Sequence, residues 1–104
     1  MTQELMDPDN ELLMSTASIW EIGTKYALGK LPLKLAPDLL VPQQMQLQSI
    51  LPLPLSVEHA LQAHQLPPHH KDPFDRMIIA QALVEKLPVM TGDRHFRKYP
   101  IKVL

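Results

Sequence analysis

Residues 72–87, DPFDRMIIAQALVEKL, form the stretch that decides the fold of this 104-residue chain. Asp72 is a typical helix N-cap, Pro73 suits the first helical position, and Asp75 adds an acid near the positive end of the helix dipole. Apolar or small side chains then leave only one narrow polar flank. The segment is therefore predicted to be a largely buried helix, and capping alone explains the two acids at its start, Asp72 and Asp75.

Strand-length apolar runs and helical patterns alternate on both sides of this helix. DPDN at 7–10 is predicted to be a turn, and prolines, about twice as frequent as usual, mark the ends of elements. The alternation predicts βα units and hence an α/β domain with a parallel sheet. The predicted strands are 11–15, 49–53, 88–93 and 101–104, and the predicted helices are 16–28, 37–48, 56–65 and a short turn at 94–99.

Composition limits the class of protein. With 45% hydrophobic residues and 10 basic against 11 acidic residues, the chain is predicted to be one small domain of nearly neutral charge. The absence of cysteine excludes disulfides, thiol catalysis and cysteine-based zinc sites. No apolar run reaches the roughly 18 residues of a membrane helix. We therefore expect a soluble, cytoplasmic protein that does not bind membranes.

The small net charge hides an uneven distribution. Residues 1–24 contain five acids and no Lys or Arg, whereas all ten basic residues follow. Arg94, Arg97 and Lys98 are crowded near the C-terminus, beside His95. Clustered basic side chains can neutralise phosphates, although a solvated surface that only aids solubility explains the same cluster.

Three acids are expected near one edge of the predicted sheet. Asp93 ends the strand 88–93, Asp75 lies on the first turn of the long helix, and Glu21 follows the strand 11–15 by one or two helical turns. Converging carboxylates raise one another's pKa unless a cation neutralises them, and oxygen ligands suit Mg²⁺ or Mn²⁺. The arrangement favours metal-assisted phosphodiester hydrolysis, although each acid alone has a simpler explanation.

The histidines and aromatic residues carry weaker signals. The five histidines lack the usual spacing of zinc ligands, so the loop pair His69 and His70 is expected on a polar surface. Trp20 is expected to pack in the core at helical spacing rather than to stack on bases. Arg76 could pair with a carboxylate or a phosphate, and the pattern does not choose between them.

Three blocks of the sequence resemble PIN-domain toxins of the VapC type, the ribonucleases of type II toxin–antitoxin systems. The agreement in order and separation extends from about Glu11 to Leu104. It implies a three-layer α/β/α domain with a parallel sheet and a four-acid Mg²⁺ or Mn²⁺ site that cleaves RNA. The blocks are SIWEIGTKYALGKLPL at 18–33, LPPHHKDPFDRMIIAQAL at 66–83 and VMTGDRHFRKY at 89–99.

The resemblance also assigns roles to individual positions. Glu21 matches the acid of the family's S-x-W-E helix, Asp75 that of the D-x-x-D-R helix start, and Asp93 that of the T-x-D strand end. These three are implied to be the catalytic and metal-binding residues, with an RNA substrate, an antitoxin partner and a homodimer. Secondary candidates are Asp72, Arg76 and Thr91, and the residues implied to contact RNA are Arg94, Arg97 and Lys98.

The sequence departs from the family at the first acid, an Asp that ends the central strand. Asp7 and Asp9 cannot replace it because they precede the second strand. We therefore expect that the first strand and following helix of a domain of about 125 to 130 residues are missing. Two hypotheses follow: a ribonuclease toxin that the loss weakens or inactivates, or a non-catalytic module that binds an antitoxin or itself. The sheet either closes over the gap or is completed by strand exchange.

Overall fold

The computed structural model describes residues 3–104, which form an α/β fold of four strands, four α-helices and a short 3-10 helix. The predicted helices are all confirmed, with small shifts at their ends. The last predicted strand is reduced to one bridge, at Val103. In chain order the elements are β1 Glu4–Met6, β2 Leu12–Ser15, α1 Thr16–Ala27, α2 Pro37–Leu47, β3 Leu51–Leu53, α3 Val57–His64, α4 Pro73–Glu85, β4 Val89–Met90 and the 3-10 helix Arg94–Lys98.

The sheet has the strand order β3-β2-β1-β4 and is mixed rather than parallel. β2 and β3 are parallel as expected, but β1 runs antiparallel to both of its neighbours. The cause is local, since a tight turn joins β1 to β2 and such turns connect only antiparallel strands. Asp7 closes that turn by accepting the backbone N–H groups of Asp9 and Glu11 at 3.0 and 2.8 Å. The predicted α/β fold is confirmed, and the sheet differs from a purely parallel one through β1.

β1 occupies the centre of the sheet, between β2 and β4, which is the position that the resemblance gives to the absent strand. Leu5 is fully buried and lies opposite Leu13 on one side and Val89 on the other. The sheet thus closes within one chain, and its pairing requires no strand exchange. The sequence pattern does not predict this strand, because three residues in a polar, acidic segment show no periodicity.

α4 crosses the core as predicted. The Asp72 carboxylate accepts the N–H groups of Phe74 and Asp75 at 2.9 and 3.1 Å, which starts the helix as its N-cap. Five consecutive residues, 78–82, are buried. The helix ends at Glu85, and its C-cap residue Lys86 adopts a left-handed conformation with φ of 57°. Among the described residues, no helix is long and apolar enough to cross a bilayer.

α1 packs against α4 through small side chains. Ser15 caps the helix by accepting the N–H of Ala17 at 3.0 Å, and both residues are fully buried with Ser18 close behind. Trp20 is 65% exposed and meets Phe74 edge to face, with ring centroids 5.3 Å apart. The expectation that Trp20 packs in the core is wrong, because small residues of α1 take the buried positions.

We expect Leu5→Ala to lower the free energy of unfolding by about 2–5 kcal/mol, because it leaves a cavity between β2 and β4 at the centre of the sheet. Leu39→Ala is the matched control, since Leu39 lies on α2 with 64% of its surface exposed. Urea unfolding monitored by circular dichroism measures both. An equal effect of the two substitutions would contradict the central placement of β1.

Candidate active site

Three carboxylates line one cleft at the start of α4. The cleft has a volume of about 280 Å³ and lies between α1 and the first turn of α4. Glu21 faces it from α1, whereas Asp72 and Asp75 face it from α4, and Gln3 and Lys25 are also in its wall. Two of the three acids assigned by the resemblance, Glu21 and Asp75, are therefore brought together by the fold.

Asp75 is the most strongly perturbed acid of this cleft. Its side chain is about 10% exposed. Burial, followed by the negative charges of Asp72 and Glu21, raises the pKa of Asp75 to about 6, while His70 opposes the rise. The carboxylate form of Asp75 is thus costly in the protein without a nearby cation, as expected for a group of converging acids.

His70 joins Asp75 to Asp93. Its Nε2 atom lies 2.8 Å from Asp75 Oδ2 and 3.1 Å from Asp93 Oδ2, and its side chain is only 13% exposed. Asp72 N–H points to Nδ1 of the same ring at 3.4 Å, which favours the tautomer that donates from Nε2. The expectation of a surface histidine is wrong for His70. Its place two residues before the helix cap was the available signal.

Asp93 lies just after β4 and begins the 3-10 helix. Its Oδ1 atom accepts the N–H of His95 at 2.9 Å and lies 2.8 Å from Nδ1 of the same residue. Partial desolvation alone would raise the Asp93 pKa, but the bonds to His95 and the nearby His70 hold it below its ordinary value. The N–H of Asp93 donates to Thr91 Oγ1 at 3.0 Å, so Thr91 helps to fix the backbone of Asp93.

Glu21 forms an ion pair with a basic residue of its own helix. Lys25, one turn further along α1, places its Nζ atom 2.7 Å from Glu21 Oε2. This hydrogen bond raises the pKa of Lys25, and burial opposes the rise only in part. Glu21 is 16% exposed at its side chain, so it remains accessible from the cleft.

Arg76 stabilises the loop before α4 through the terminal nitrogens of its side chain. These nitrogens donate to four backbone carbonyls at 2.9–3.0 Å, at the end of α3 and in the loop before α4. The terminal nitrogens of Arg76 are thus engaged within the protein. The carbonyls belong to Ala63, Leu66, Pro67 and His70.

The cleft wall contains the amide side chain of Gln3, whereas the resemblance implies a fourth acid there. Because β1 runs antiparallel, its beginning rather than its end lies at this edge, and Gln3 lines the cleft. Asp7, at the other end of β1, lies beside Lys86 at the far end of α4. Within residues 3–104 the cleft therefore has three carboxylates, those of Glu21, Asp72 and Asp75.

The donor set fits a hard divalent cation. The cleft offers carboxylate oxygens, the ligands that Mg²⁺ and Mn²⁺ prefer, and a cation would relieve the repulsion expressed in the raised pKa of Asp75. Asp93 is not in the wall of this cleft and is connected to it through His70. Glu21 and Asp75 are thus residues of the cleft wall that could hold such an ion.

The basic residues lie next to Asp93. Arg94, Arg97 and Lys98 all belong to the 3-10 helix and are exposed to solvent. These side chains place positive charge beside Asp93 and remain outside the core. The structure therefore leaves them free to meet a polyanion.

Comparison with known proteins gives a family and a relative. The family model described as the PIN domain matches residues 2–102. Ribonuclease VapC16 of Mycobacterium tuberculosis (strain ATCC 25618 / H37Rv) is 43% identical over 61 residues, which is 59% of this chain and 42% of the relative. The match thus spans less than half the length of that curated relative. No solved structure matches the chain.

We expect Asp75→Asn to stabilise the metal-free protein by about 1–2 kcal/mol at pH 7, after allowance for solvent screening, and to have little effect at pH 4. Asp75 titrates at about 6 when folded and near 3.8 when unfolded. The folded protein therefore binds the proton more tightly, and the wild type loses stability as the pH rises from about 4 to 6.

Urea unfolding in the presence of a chelator, at intervals from pH 4 to pH 7, measures this difference. Asp38→Asn, an exposed acid in the first turn of α2, is the control and should show no such trend. A stability difference for Asp75→Asn that is the same at both ends of the range would contradict the raised pKa.

Proposed function

The chain belongs to the PIN domain family, and on that premise we propose that it is a divalent-metal-dependent endoribonuclease that hydrolyses phosphodiester bonds in RNA. The observation that carries the proposal is the convergence of Glu21 and Asp75 on one cleft, where burial and like charge raise the pKa of Asp75. The name of the relative, Ribonuclease VapC16, supports the same substrate class.

Mg²⁺ or Mn²⁺ is the proposed cofactor, with Glu21, Asp75 and Asp93 as its protein ligands. When bound, such an ion polarises a phosphoryl oxygen and lowers the pKa of a water molecule. Glu21 and Asp75 contribute oxygen atoms from the two walls of the cleft. Hydrogen bonds hold the pKa of Asp93 below its ordinary value, so the side chain remains a carboxylate across the neutral range.

Other side chains are proposed to position the acids and the RNA. His70 donates to Asp75 and Asp93 and keeps their oxygens turned toward each other. Thr91 accepts the N–H of Asp93 and fixes its backbone. Lys25 adds a positive charge beside Glu21 that can attract the phosphate to the cleft.

A finer proposal concerns partners. The VapC name of the relative and the three resembling blocks support a role as the toxin of a toxin–antitoxin pair, with a cognate antitoxin protein and a homodimeric assembly. Copurification with the antitoxin encoded nearby, and light scattering of the chain alone, test these two partners separately.

A second candidate function is a non-catalytic module that binds an antitoxin or itself. The observation that favours it is Gln3, an uncharged amide in the wall where the family pattern calls for a fourth acid. Three carboxylates hold and orient a divalent cation less firmly than four, since ligand charge largely sets the affinity of such sites.

We expect the purified chain to cleave single-stranded RNA in Mg²⁺ or Mn²⁺ and to stop when a chelator is added. Glu21→Gln and Asp75→Asn remove a charge that holds the ion while they preserve side-chain size, so each should lower the cleavage rate at least about 10–100-fold. Cleavage of a fluorescently labelled RNA, resolved on a gel, measures the rates.

Asp38→Asn provides the matched control because it removes an exposed acid outside the cleft. Cleavage that survives both cleft substitutions, or that ignores the chelator, would refute the metal-dependent mechanism. A folded chain that cleaves nothing but binds an antitoxin or itself would instead support the non-catalytic module.

We expect charge reversal at Arg97 and Lys98 to weaken RNA binding and to make the affinity less dependent on salt. The slope of log affinity against log salt concentration should fall in magnitude by about 0.7 for each RNA phosphate that the protein no longer neutralises. The control is the double reversal of Lys86 and Lys102, which changes the net charge equally but lies beside the far end of α4. Fluorescence anisotropy at several salt concentrations measures both. Equal effects of the two double variants would reject a specific role for the 3-10 helix.

A further inference from the structure

We propose that Lys25 is an exchangeable counter-ion of the carboxylate cleft. Its ammonium group pairs with Glu21 while the cleft holds no divalent cation, and it pairs with an RNA phosphate once Glu21 ligates such a cation. The inference rests on the proposed function, since it assumes that a cation and RNA meet in this cleft. It assigns opposite effects to Lys25: the side chain weakens metal binding and strengthens RNA binding.

Lys25 competes with a metal ion for the carboxylate of Glu21. The two residues are one turn apart on α1, and Lys25 Nζ lies 2.7 Å from Glu21 Oε2. Both line the cleft of about 280 Å³ whose opposite wall contains Asp72 and Asp75 of α4. A carboxylate oxygen that accepts a bond from an ammonium group at this distance has to give up or share that bond before it ligates a cation. The ion pair therefore lowers the metal affinity of Glu21.

The exposure of the two side chains shows which of them moves. The side chain of Glu21 is 16% exposed, whereas that of Lys25 is 49% exposed. The Lys25 ammonium group can therefore leave the carboxylate for solvent at small cost, because exposed ion pairs contribute little to stability. Glu21 stays in the cleft wall with Asp72 and Asp75.

The charges of the cleft explain the order of the exchange. The hydrogen bond to Glu21 raises the pKa of Lys25 most, burial opposes the rise, and the negative charges of Glu21, Asp72 and Asp75 add to it. The Lys25 ammonium group thus lies within the field of all three acids. Three carboxylates and one ammonium group leave two negative charges when all are ionised, which one divalent cation neutralises. Lys25 is then repelled by the cation and is free to pair with another anion.

Lys25 is suited to receive a phosphate at this place. Within residues 3–104 it is the basic side chain of the cleft wall. The terminal nitrogens of Arg76, by contrast, are engaged by four backbone carbonyls. A lysine ammonium group is a compact charge on a flexible stem, and it binds phosphate as a point charge. Lys25 can thus turn to a phosphate without any movement of α1.

The affinity for Mn²⁺ tests the first step of the exchange. We expect Lys25→Met, which keeps the helix propensity of the position, to bind Mn²⁺ about two- to tenfold more tightly, because no ammonium group competes across the solvent-accessible cleft. Lys25→Arg retains the charge and should reverse most of the gain. Lys102→Met is the matched control, since Lys102 is an exposed base beside the far end of α4. Electron paramagnetic resonance of free Mn²⁺, without RNA, measures the affinities.

The affinity for RNA tests the second step. In Ca²⁺, another cation that binds oxygen ligands, we expect Lys25→Met to weaken the binding of a labelled single-stranded RNA about three- to tenfold, since a phosphate contact is lost. In a chelator the loss should be much smaller, because Lys25 then stays paired with Glu21. Lys102→Met should have the same effect in both solutions. Fluorescence anisotropy measures the affinities, and a gel verifies that the RNA is intact.

The outcomes separate this inference from the proposed function. Tighter Mn²⁺ binding together with weaker RNA binding in Lys25→Met supports the exchange. If Glu21→Gln weakens Mn²⁺ binding but Lys25→Met leaves it unchanged, the metal site stands and the exchange is refuted. If Lys25→Met lowers only the free energy of unfolding, the pair stabilises the helix alone, which also refutes the exchange. If neither the wild type nor Lys25→Met binds Mn²⁺, both proposals are refuted.

Discussion

The burial of α4 on nearly all sides is the constraint from which the electrostatics of this protein follow. Residues 78–82 of α4 are enclosed by the core, so the first turn of the helix cannot move toward solvent without exposing them. Asp75, on that turn, is therefore desolvated beside Asp72 and Glu21, and its pKa rises to about 6. Because the core requires α4 to be buried, Asp75 is held where a bound cation would stabilise its carboxylate form.

The loop before α4 supplies the opposing interactions. Arg76 donates to four carbonyls around that loop, and Tyr99 bonds both His70 and Pro67, so the His70 ring can lie between two carboxylates. Each of these bonds satisfies a backbone group that would otherwise be costly to enclose. The same bonds place His70 next to His95 and Asp93. One local hydrogen-bond network therefore positions side chains both at the cleft and around Asp93.

The direction of β1 determines what the centre of the sheet can contribute to chemistry. A parallel strand here would bring its carboxyl end, and with it an acid, to the cleft. The short turn closed by Asp7 reverses the strand, so Gln3 arrives instead and Asp7 lies beside Lys86 at the opposite end. The same three residues that complete the hydrogen bonding of the sheet therefore leave the cleft with an amide in place of a carboxylate.

Local patterns in the sequence were sufficient for the helices, because Ser15, Ser56 and Asp72 cap helices through contacts within three residues. The blocks at 18–33, 66–83 and 89–99 likewise indicated the family, and they placed Glu21 and Asp75 near each other. Long-range contacts alone decided the rest. The pairing of β1, the exposure of Trp20 and the enclosure of His70 each depend on which distant segment supplies the neighbour, and no local periodicity records that choice.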